Sequence, residues 1–228
     1  MIIAIGGGEL SSNQTLEIDK YIVKSAEKKQ PKLLFIPTAS KDSPTYVEAV
    51  NSVYGSLGCY VDVLYLCNDY VDGDKVKGKI EKADIIYVGG GNTEFMMDKW
   101  REYFVDKYLL EAYEQNKVLS GLSAGAICWF IAGHSKSEFK TEIENPKDKW
   151  VKGLGIIPYL HCPHYDNEDR KSFDDTFMQG QSMPAIAIEN RAAIVWDNGD
   201  IKVIKAIPEK HVYYIAWEND TLIKRVKG

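Results

Sequence analysis

The chain has 228 residues, of which 45% are hydrophobic and 27% are charged. This balance is typical of a globular protein and excludes the collagenous, coiled-coil and disordered classes. The formal net charge is −5, with both signs interspersed along the chain. We therefore expect no basic surface and no nucleic-acid partner.

The sequence also lacks the signals of membrane insertion and export. Its longest apolar run, Ala124–Gly133, is far shorter than the roughly 18 residues that span a bilayer. The first residues show no basic region followed by a long apolar one, so we expect no signal peptide and no membrane partner. The cysteines show no zinc-type spacing and read as reduced residues of a cytoplasmic protein. They are Cys59, Cys67, Cys128 and Cys162.

Short β-branched runs alternate with amphipathic stretches through the first half of the chain. Alternation of this kind predicts βαβ units and a parallel sheet. The predicted strands are Ile2–Ile5, Leu33–Ile36, Tyr60–Leu66, Ile85–Val88 and Val118–Leu119. The predicted helices are Leu16–Lys28, Tyr46–Tyr54, Asp74–Lys82, Glu94–Trp100 and Val105–Gln115.

The pattern changes after about residue 183, where short apolar runs are separated by tight turns. These runs predict antiparallel hairpins added to the edge of the sheet. They are Ala185–Ile188, Ala192–Trp196, Ile201–Ile204 and Val212–Trp217. No linker or repeat interrupts the chain, so we predict a single α/β domain over residues 1–228 with a mostly parallel sheet.

The clearest chemical signal is Gly-Leu-Ser-Ala-Gly at residues 121–125. A strand at Val118–Leu119 precedes it and a buried helix is predicted at Ala126–Ile131. A nucleophile elbow needs this order, because the serine sits in a strained strand-to-helix turn between small residues. The motif therefore predicts that Ser123 is a nucleophile; the alternative is a glycine-rich turn that happens to contain a serine.

A second glycine-rich segment, Gly-Gly-Gly-Asn-Thr at residues 89–93, follows the strand Ile85–Val88. Three glycines allow the backbone to approach a ligand closely and to expose its N–H groups. The segment could supply an oxyanion donor beside the elbow, or bind phosphate, although it lacks both phosphate-loop patterns. It also caps the helix that begins near Glu94.

A nucleophilic serine needs a base and a residue that orients that base. Four histidines are available: His164, after the apolar stretch ending at Leu160, and the competitors His211, His161 and His134. The residues alone do not decide between them. Candidates for the acidic member are Glu138, Glu142, Glu144, Asp166 and Glu189.

Together these motifs resemble peptidase family S51, which includes aspartyl dipeptidase (peptidase E) and cyanophycinase. The resemblance rests on Gly-Gly-Gly-Asn-Thr at 89–93, Gly-x-Ser-Ala-Gly-Ala at 121–126 and Pro-His at 163–164. It extends from the first strand to Ile-Glu-Asn at 188–190. It implies a three-layer fold similar to the class I glutamine amidotransferases, with serine in place of their cysteine.

The resemblance also implies roles for individual residues. Ser123 would be the nucleophile and His164 the general base, and the acidic member, about fifteen residues after the serine, would be Glu138. The backbone N–H groups of Gly91 and Ala124 would form the oxyanion hole.

We further expect Gly90, Asn92, Thr93 and Glu189 to contact the substrate. Preference for an N-terminal aspartate would require a nearby cation. Arg170 is close to His164 in sequence, but a surface position is the simpler interpretation for it.

The expected function is therefore hydrolysis of short peptides, with no metal or organic cofactor, because no histidine–carboxylate cluster has ligand spacing. Two alternatives stay open. One is an α/β-hydrolase-type esterase with His211 as base beside Asp197 or Glu189. The other is a binding module that keeps the fold without catalysis. The sequence does not indicate the oligomeric state.

Overall fold

The computed structural model describes residues 1–67, 71–135, 149–170, 173–174, 183–219 and 221–227. Helices α1 to α6 span Leu16–Ser25, Pro44–Ser56, Gly73–Lys82, Thr93–Glu102, Val105–Glu114 and Ala124–Ile127. Strands β1 to β7 span Ile2–Ile5, Lys32–Ile36, Tyr60–Val63, Ile85–Val88, Val118–Leu122, Phe130–Ser135 and Lys149–Lys152. Strands β8 to β13 span Ile157–Cys162, Ala185–Ile188, Ala192–Asp197, Asp200–Lys205, Val212–Glu218 and Thr221–Lys227.

The first sheet has, within the described residues, the strand order β11-β10-β1-β5-β4-β2-β3. The five strands from β1 to β3 in this order are mutually parallel, and β10 and β11 add an antiparallel hairpin beside β1. The mostly parallel sheet predicted from the sequence is therefore confirmed. So is the prediction of antiparallel C-terminal strands.

Both faces of this sheet are covered, which explains why its strands read as nearly continuous apolar runs. On β1, Ile2 and Ala4 point to one face, where α3, α4, α5 and a second sheet pack against them. Ile3 and Ile5 point to the other face and pack against α1 and α2. The result is the predicted three-layer arrangement.

The second sheet was not predicted. Its strand order is β13-β12-β9-β8-β6-β7 among the described residues. We predicted a helix at Ala126–Ile131, but α6 ends at Ile127 and β6 begins at Phe130. A short buried apolar run has the same composition in either state, so periodicity cannot distinguish a helix from a strand there.

The prediction that all late strands extend one sheet edge was partly wrong. Strands β10 and β11 form that hairpin, but β9, β12 and β13 belong to the second sheet. The chain crosses between the sheets at residues 189–191, because β9 pairs with β8 and β12 whereas β10 pairs with β1.

Loops from both sheets converge at the carboxyl ends of the parallel strands of the first sheet. The segments after β1, β4 and β5 follow the carboxyl ends of parallel strands, where ligands bind in open α/β sheets. The segment after β8 joins them, since the N–H of His164 donates to the carbonyl of Gly6 over 3.0 Å. The turn after β9 joins them as well, since the N–H of Arg191 donates to the carbonyl of Gly7 over 2.8 Å.

Candidate active site

Ser123 occupies a sharp turn between β5 and α6. Its backbone has φ 57° and ψ −111°, a conformation that costs energy for a residue with a side chain. The turn closes only because its flanks are glycines. A Cβ on Gly121 would lie 2.1 Å from the carbonyl oxygen of Gly125, and one on Gly125 would lie 2.2 Å from that of Val88. The Gly-x-Ser-x-Gly pattern is thus required by packing at this turn.

His164 lies two residues beyond the end of β8, with its ring facing Ser123. Its Nε2 atom is 2.7 Å from the Oγ atom of Ser123. Burial lowers the pKa of His164, and the positive charge of Arg170 acts in the same direction, against the opposing effect of a hydrogen bond to Asn190. The imidazole is therefore neutral at neutral pH and able to accept a proton.

The other ring nitrogen of His164 contacts an uncharged amide. Its Nδ1 atom is 2.7 Å from Oδ1 of Asn190. Since an amide oxygen only accepts hydrogen bonds, the ring proton sits on Nδ1 and leaves the Nε2 lone pair for the hydroxyl of Ser123. The contact also depends on Gly7, because a Cβ there would lie 2.2 Å from both the Asn190 oxygen and the His164 nitrogen.

Glu138, the acidic member implied by the family resemblance, lies outside the described residues. Its role stays a prediction. Sequence reasoning missed Asn190, because only carboxylates were considered as partners for the histidine. The available signal was its position in the Ile-Glu-Asn segment at 188–190, within the reach of the family resemblance.

The glycine-rich loop between β4 and α4 runs beside Ser123. Gly90 and Gly91 line the same cavity as the serine, and the N–H of Gly90 donates to the hydroxyl of Tyr46 over 3.3 Å. Asn92 caps α4, since its Oδ1 accepts from the N–H of Phe95 over 2.9 Å. The side chain of Thr93 is buried, and its hydroxyl contacts that of Ser135. Of the residues of this loop that we predicted to contact the substrate, Gly90 lines the cavity, whereas Asn92 and Thr93 do not.

Glu189 lies next to Asn190 in the chain, but its carboxylate contacts other groups. One oxygen accepts from the backbone N–H of His211 over 2.9 Å and the other from the hydroxyl of Tyr213 over 3.1 Å. The His211 ring lies 3.7 Å from the same carboxylate. Glu189 and His211 therefore contact each other at the start of β12. The histidine that contacts Ser123 is His164.

The remaining histidines are buried in the second sheet. His161 stacks on Phe130 with ring centroids 4.3 Å apart, and burial lowers its pKa to about 3. The guanidinium of Arg170 donates to the backbone carbonyl of His134 over 3.0 Å. Arg170 is itself buried, so its interpretation as a surface residue was wrong.

A cavity of about 500 Å³ opens over Ser123 and His164. Its floor is the elbow and the glycine-rich loop, and its walls come from the segment after β1 and from the start of α2. Its lining residues on these walls are Gly8, Glu9, Leu10, Ser11, Ser43, Thr45, Tyr46 and Ala49. Among the described residues, no group of three His, Cys, Asp or Glu side chains is arranged to hold a metal ion.

Comparison with known proteins assigns the family. The model of peptidase family S51 matches residues 2–204. The chain belongs to peptidase family S51. It is therefore a member of a family of serine peptidases, as the motifs indicated.

Two curated relatives show the range of similarity within S51. Uncharacterized peptidase YgaJ of Bacillus subtilis (strain 168) is 39% identical over 172 residues, covering 75% of this chain and 71% of YgaJ. A Peptidase E of Shewanella denitrificans is 23% identical over 209 residues, covering 87% of this chain and 84% of the relative.

Two solved structures share the fold. A peptidase from an acI-B1 Actinobacterium superposes with a TM-score of 0.75 at 18% identity, covering 99% of this chain and 96% of that one. A candidate peptidase E from Listeria monocytogenes EGD-e superposes with a TM-score of 0.67 at 22% identity, covering 90% and 97%. These likenesses confirm the predicted fold class, similar to the class I glutamine amidotransferases.

Proposed function

We propose that this S51 member hydrolyses short peptides through an acyl-enzyme on Ser123, with His164 as general base and Asn190 orienting the imidazole. The observation that supports this most directly is the 2.7 Å contact between Ser123 Oγ and His164 Nε2 at the base of an open cavity. A base within hydrogen-bond reach of the serine, a neutral imidazole and a fixed ring proton are the requirements of a general-base-assisted nucleophile.

The reaction proceeds in two half-reactions. The Oγ atom of Ser123 attacks the peptide carbonyl carbon while its proton passes to Nε2 of His164. The tetrahedral intermediate then collapses, the peptide C–N bond breaks, and His164 gives the proton to the leaving amine. A water molecule attacks the resulting ester by the same sequence, releasing the acid product and restoring the serine.

The candidate donors to the negatively charged oxygen of the intermediate are two backbone N–H groups, those of Gly91 and Ala124. Ala124 is the first residue of α6, so its N–H has no acceptor within the helix. Gly91 lines the cavity together with Ser123. We propose these two groups as the oxyanion hole; removing one such donor in a serine hydrolase costs about 2.7–4 kcal/mol.

A cavity of about 500 Å³ suits a short peptide, and a relative named Peptidase E supports hydrolysis of peptides. Selection of an N-terminal aspartate would require a cation near its side chain. The ionisable side chains of the described cavity lining are Glu9, Tyr46 and His164, and none of them is a lysine or an arginine. Aspartyl-X peptides therefore belong in the test panel as one class among several.

We further propose that the enzyme works in the cytoplasm. The four cysteines, all within the described residues, form no disulfide bond, which suits a reducing compartment. Within the described residues, no helix combines the length and apolar character needed to cross a membrane.

A peptide panel tests the proposal. Purified wild-type protein and the Ser123→Ala variant are incubated with dipeptides and tripeptides, including aspartyl-X and β-aspartyl peptides, and products are read by mass spectrometry. Ser43→Ala is the matched control, because Ser43 lines the same cavity and its hydroxyl contacts Thr45 instead of a histidine. Cleavage that persists in folded Ser123→Ala would contradict the assignment.

A further inference from the structure

The amide of Asn190 has two different ends, and only one of them suits His164. Its oxygen lies 2.7 Å from Nδ1 of the ring. If the amide were turned over, its NH₂ group would face Nδ1, which would then have to accept. The ring proton would move to Nε2 and face Ser123 as a donor. A histidine in that tautomer cannot take the proton of the serine.

The opposite end of the same amide is held by Asp166. The Nδ2 group of Asn190 donates to Oδ1 of Asp166 over 2.7 Å and to Oδ1 of Asn167 over 2.9 Å. The backbone N–H of Asn190 donates to the same Asp166 oxygen over 2.8 Å. A carboxylate offers only acceptors, so it accepts the NH₂ end and excludes the oxygen end.

The second carboxylate oxygen of Asp166, which does not contact Asn190, pairs with Lys210. The ammonium lies 2.6 Å from Oδ2, and the side chains are only 20% and 25% exposed for Asp166 and Lys210 respectively. Burial acts to raise the pKa of Asp166, but the Lys210 ammonium and the backbone N–H of Asn190 hold it below its ordinary value. Asp166 is therefore ionised at neutral pH, where His164 is neutral.

We propose that Asp166 is a positioning residue: by fixing the amide orientation of Asn190, it selects the His164 tautomer that activates Ser123. The proposal rests on the proposed function for its kinetic consequence. Its structural consequence, the position of the ring proton, can be measured without any turnover.

The first test is the rate at which a fluorophosphonate probe labels the protein. We expect Asp166→Ala to label about 100-fold more slowly than wild type. This loss of labelling rate is smaller than the roughly 10⁴-fold effect of the wrong tautomer in a serine protease triad. The reason is that Asn167 still accepts from the NH₂ group of Asn190. Wild-type rates in Asp166→Ala would overturn the proposal.

Asp84→Ala is the matched control. Asp84 also pairs with a lysine at 2.6 Å, accepts a backbone N–H at 2.8 Å, and has a side chain 17% exposed, but it lies at the other end of the sheet. We expect this variant to label at the wild-type rate. An equal loss in both variants would show a general effect of losing a largely buried aspartate that pairs with a lysine, and would overturn the proposal.

Exchanging the two side chains gives a sharper test. Asn190→Asp alone places two carboxylates at hydrogen-bond distance, so it should label at least tenfold more slowly than wild type. The double variant Asp166→Asn/Asn190→Asp removes this repulsion. A carboxylate at position 190 has equivalent oxygens and needs no orientation, so the double variant should recover to within about tenfold of wild type. No recovery over Asn190→Asp would contradict the proposal.

The tautomer itself is read by nitrogen-15 NMR of the imidazole rings, which is practical with four histidines. Wild type should carry the His164 proton on Nδ1, and Asp166→Ala should show a mixture of both tautomers. If folded Asp166→Ala labels more slowly but keeps the wild-type tautomer of His164, Asp166 has only a structural role and the proposal is overturned. Absence of Ser123 labelling in wild type would instead refute the proposed function, and the NMR result would still decide the orientation.

Discussion

In the proposed mechanism Ser123 passes its proton to His164, and the side chain of Asn190 orients the imidazole. In the familiar triad the third member is a carboxylate, which both orients the imidazole and stabilises its cation. Asn190 supplies the orientation through its 2.7 Å contact but no full negative charge. Burial is the main cause of the lowered pKa of His164, and the hydrogen bond to this neutral amide only partly opposes it.

The low pKa of His164 predicts the acid side of the pH profile. His164 must be neutral to act as a base, so kcat/KM falls as pH drops through its pKa. Since burial places that pKa below the ordinary 6.5, the midpoint of the acid limb should lie below pH 6.5. The measurement is kcat/KM from pH 4 to 8 with a cleaved peptide. A midpoint above 6.5 would contradict the account.

Part of the site could be predicted from single residues. Ser123 stands in a motif whose glycines are fixed by close backbone contacts, and such constraints are visible in sequence. The partner of His164 was not visible, because an asparagine that accepts one hydrogen bond looks like any turn residue. Its role depends on the orientation of its amide, which is set by Asp166 from a different loop.

At the scale of elements, the loop beside the elbow depends on how α4 begins. Asn92 caps this helix and thereby fixes the end of the segment that contains Gly90 and Gly91. The backbone N–H of Asn92 also donates to the carbonyl of Ala39 over 2.8 Å, and this bond connects the loop to the segment after β2. The cap is a structural explanation for a residue that the sequence indicated as a substrate contact.

Two substitutions separate these roles. Asn92→Ala removes the cap and should lower the free energy of unfolding by about 1 kcal/mol, whereas Asn92→Ser keeps a capping oxygen and should stay close to wild type. Urea unfolding measures stability, and peptide turnover is measured beside it. If both variants lose turnover equally while stability is unchanged, Asn92 contacts the substrate and the cap is incidental.

Element boundaries after Ser123 were the least predictable. The segment from Ala124 to Gly133 is apolar throughout, and the structure divides it into one helical turn and a strand. The division is set by tertiary packing, since β6 pairs with β8 and β7. No local pattern carries this information, so a helix was the natural but incorrect expectation.

At the scale of the whole molecule, the α/β layers follow directly from the sequence. Strands buried on both faces alternate with amphipathic helices, and this pattern predicts a covered parallel sheet. The second sheet could not be predicted, because its strands come from distant parts of the chain, such as β6, β8 and β12. Long-range pairing of this kind depends on which surface the first sheet leaves to be covered.

A buried carboxyl between the helices of one outer layer predicts how stability varies with pH. Asp19 is fully buried and accepts from Tyr54 over 2.7 Å and from Thr15 over 2.9 Å. Burial raises its pKa from 3.8 to about 6 despite these hydrogen bonds. A raised carboxyl pKa stabilises the fold below the unfolded-state value and loses that contribution as pH rises through the folded-state value.

The contribution of Asp19 should therefore fall by about 2 kcal/mol between pH 4 and pH 6 and level off near pH 7. Asp19→Asn removes the titrating group, so the difference in unfolding free energy between wild type and variant should change over this range. Urea unfolding at four pH values measures it. A difference that is constant from pH 4 to pH 7 would contradict the assignment.

The central claim, that Ser123 is a nucleophile activated by His164, is tested most directly by mapping a covalent adduct. Native protein is treated with a fluorophosphonate, digested and analysed by mass spectrometry, with His164→Ala and Ser43→Ala treated in parallel. We expect a single adduct on Ser123, strongly reduced in His164→Ala and unchanged in Ser43→Ala. An unmodified Ser123 in folded wild-type protein, or equal labelling without His164, would contradict it.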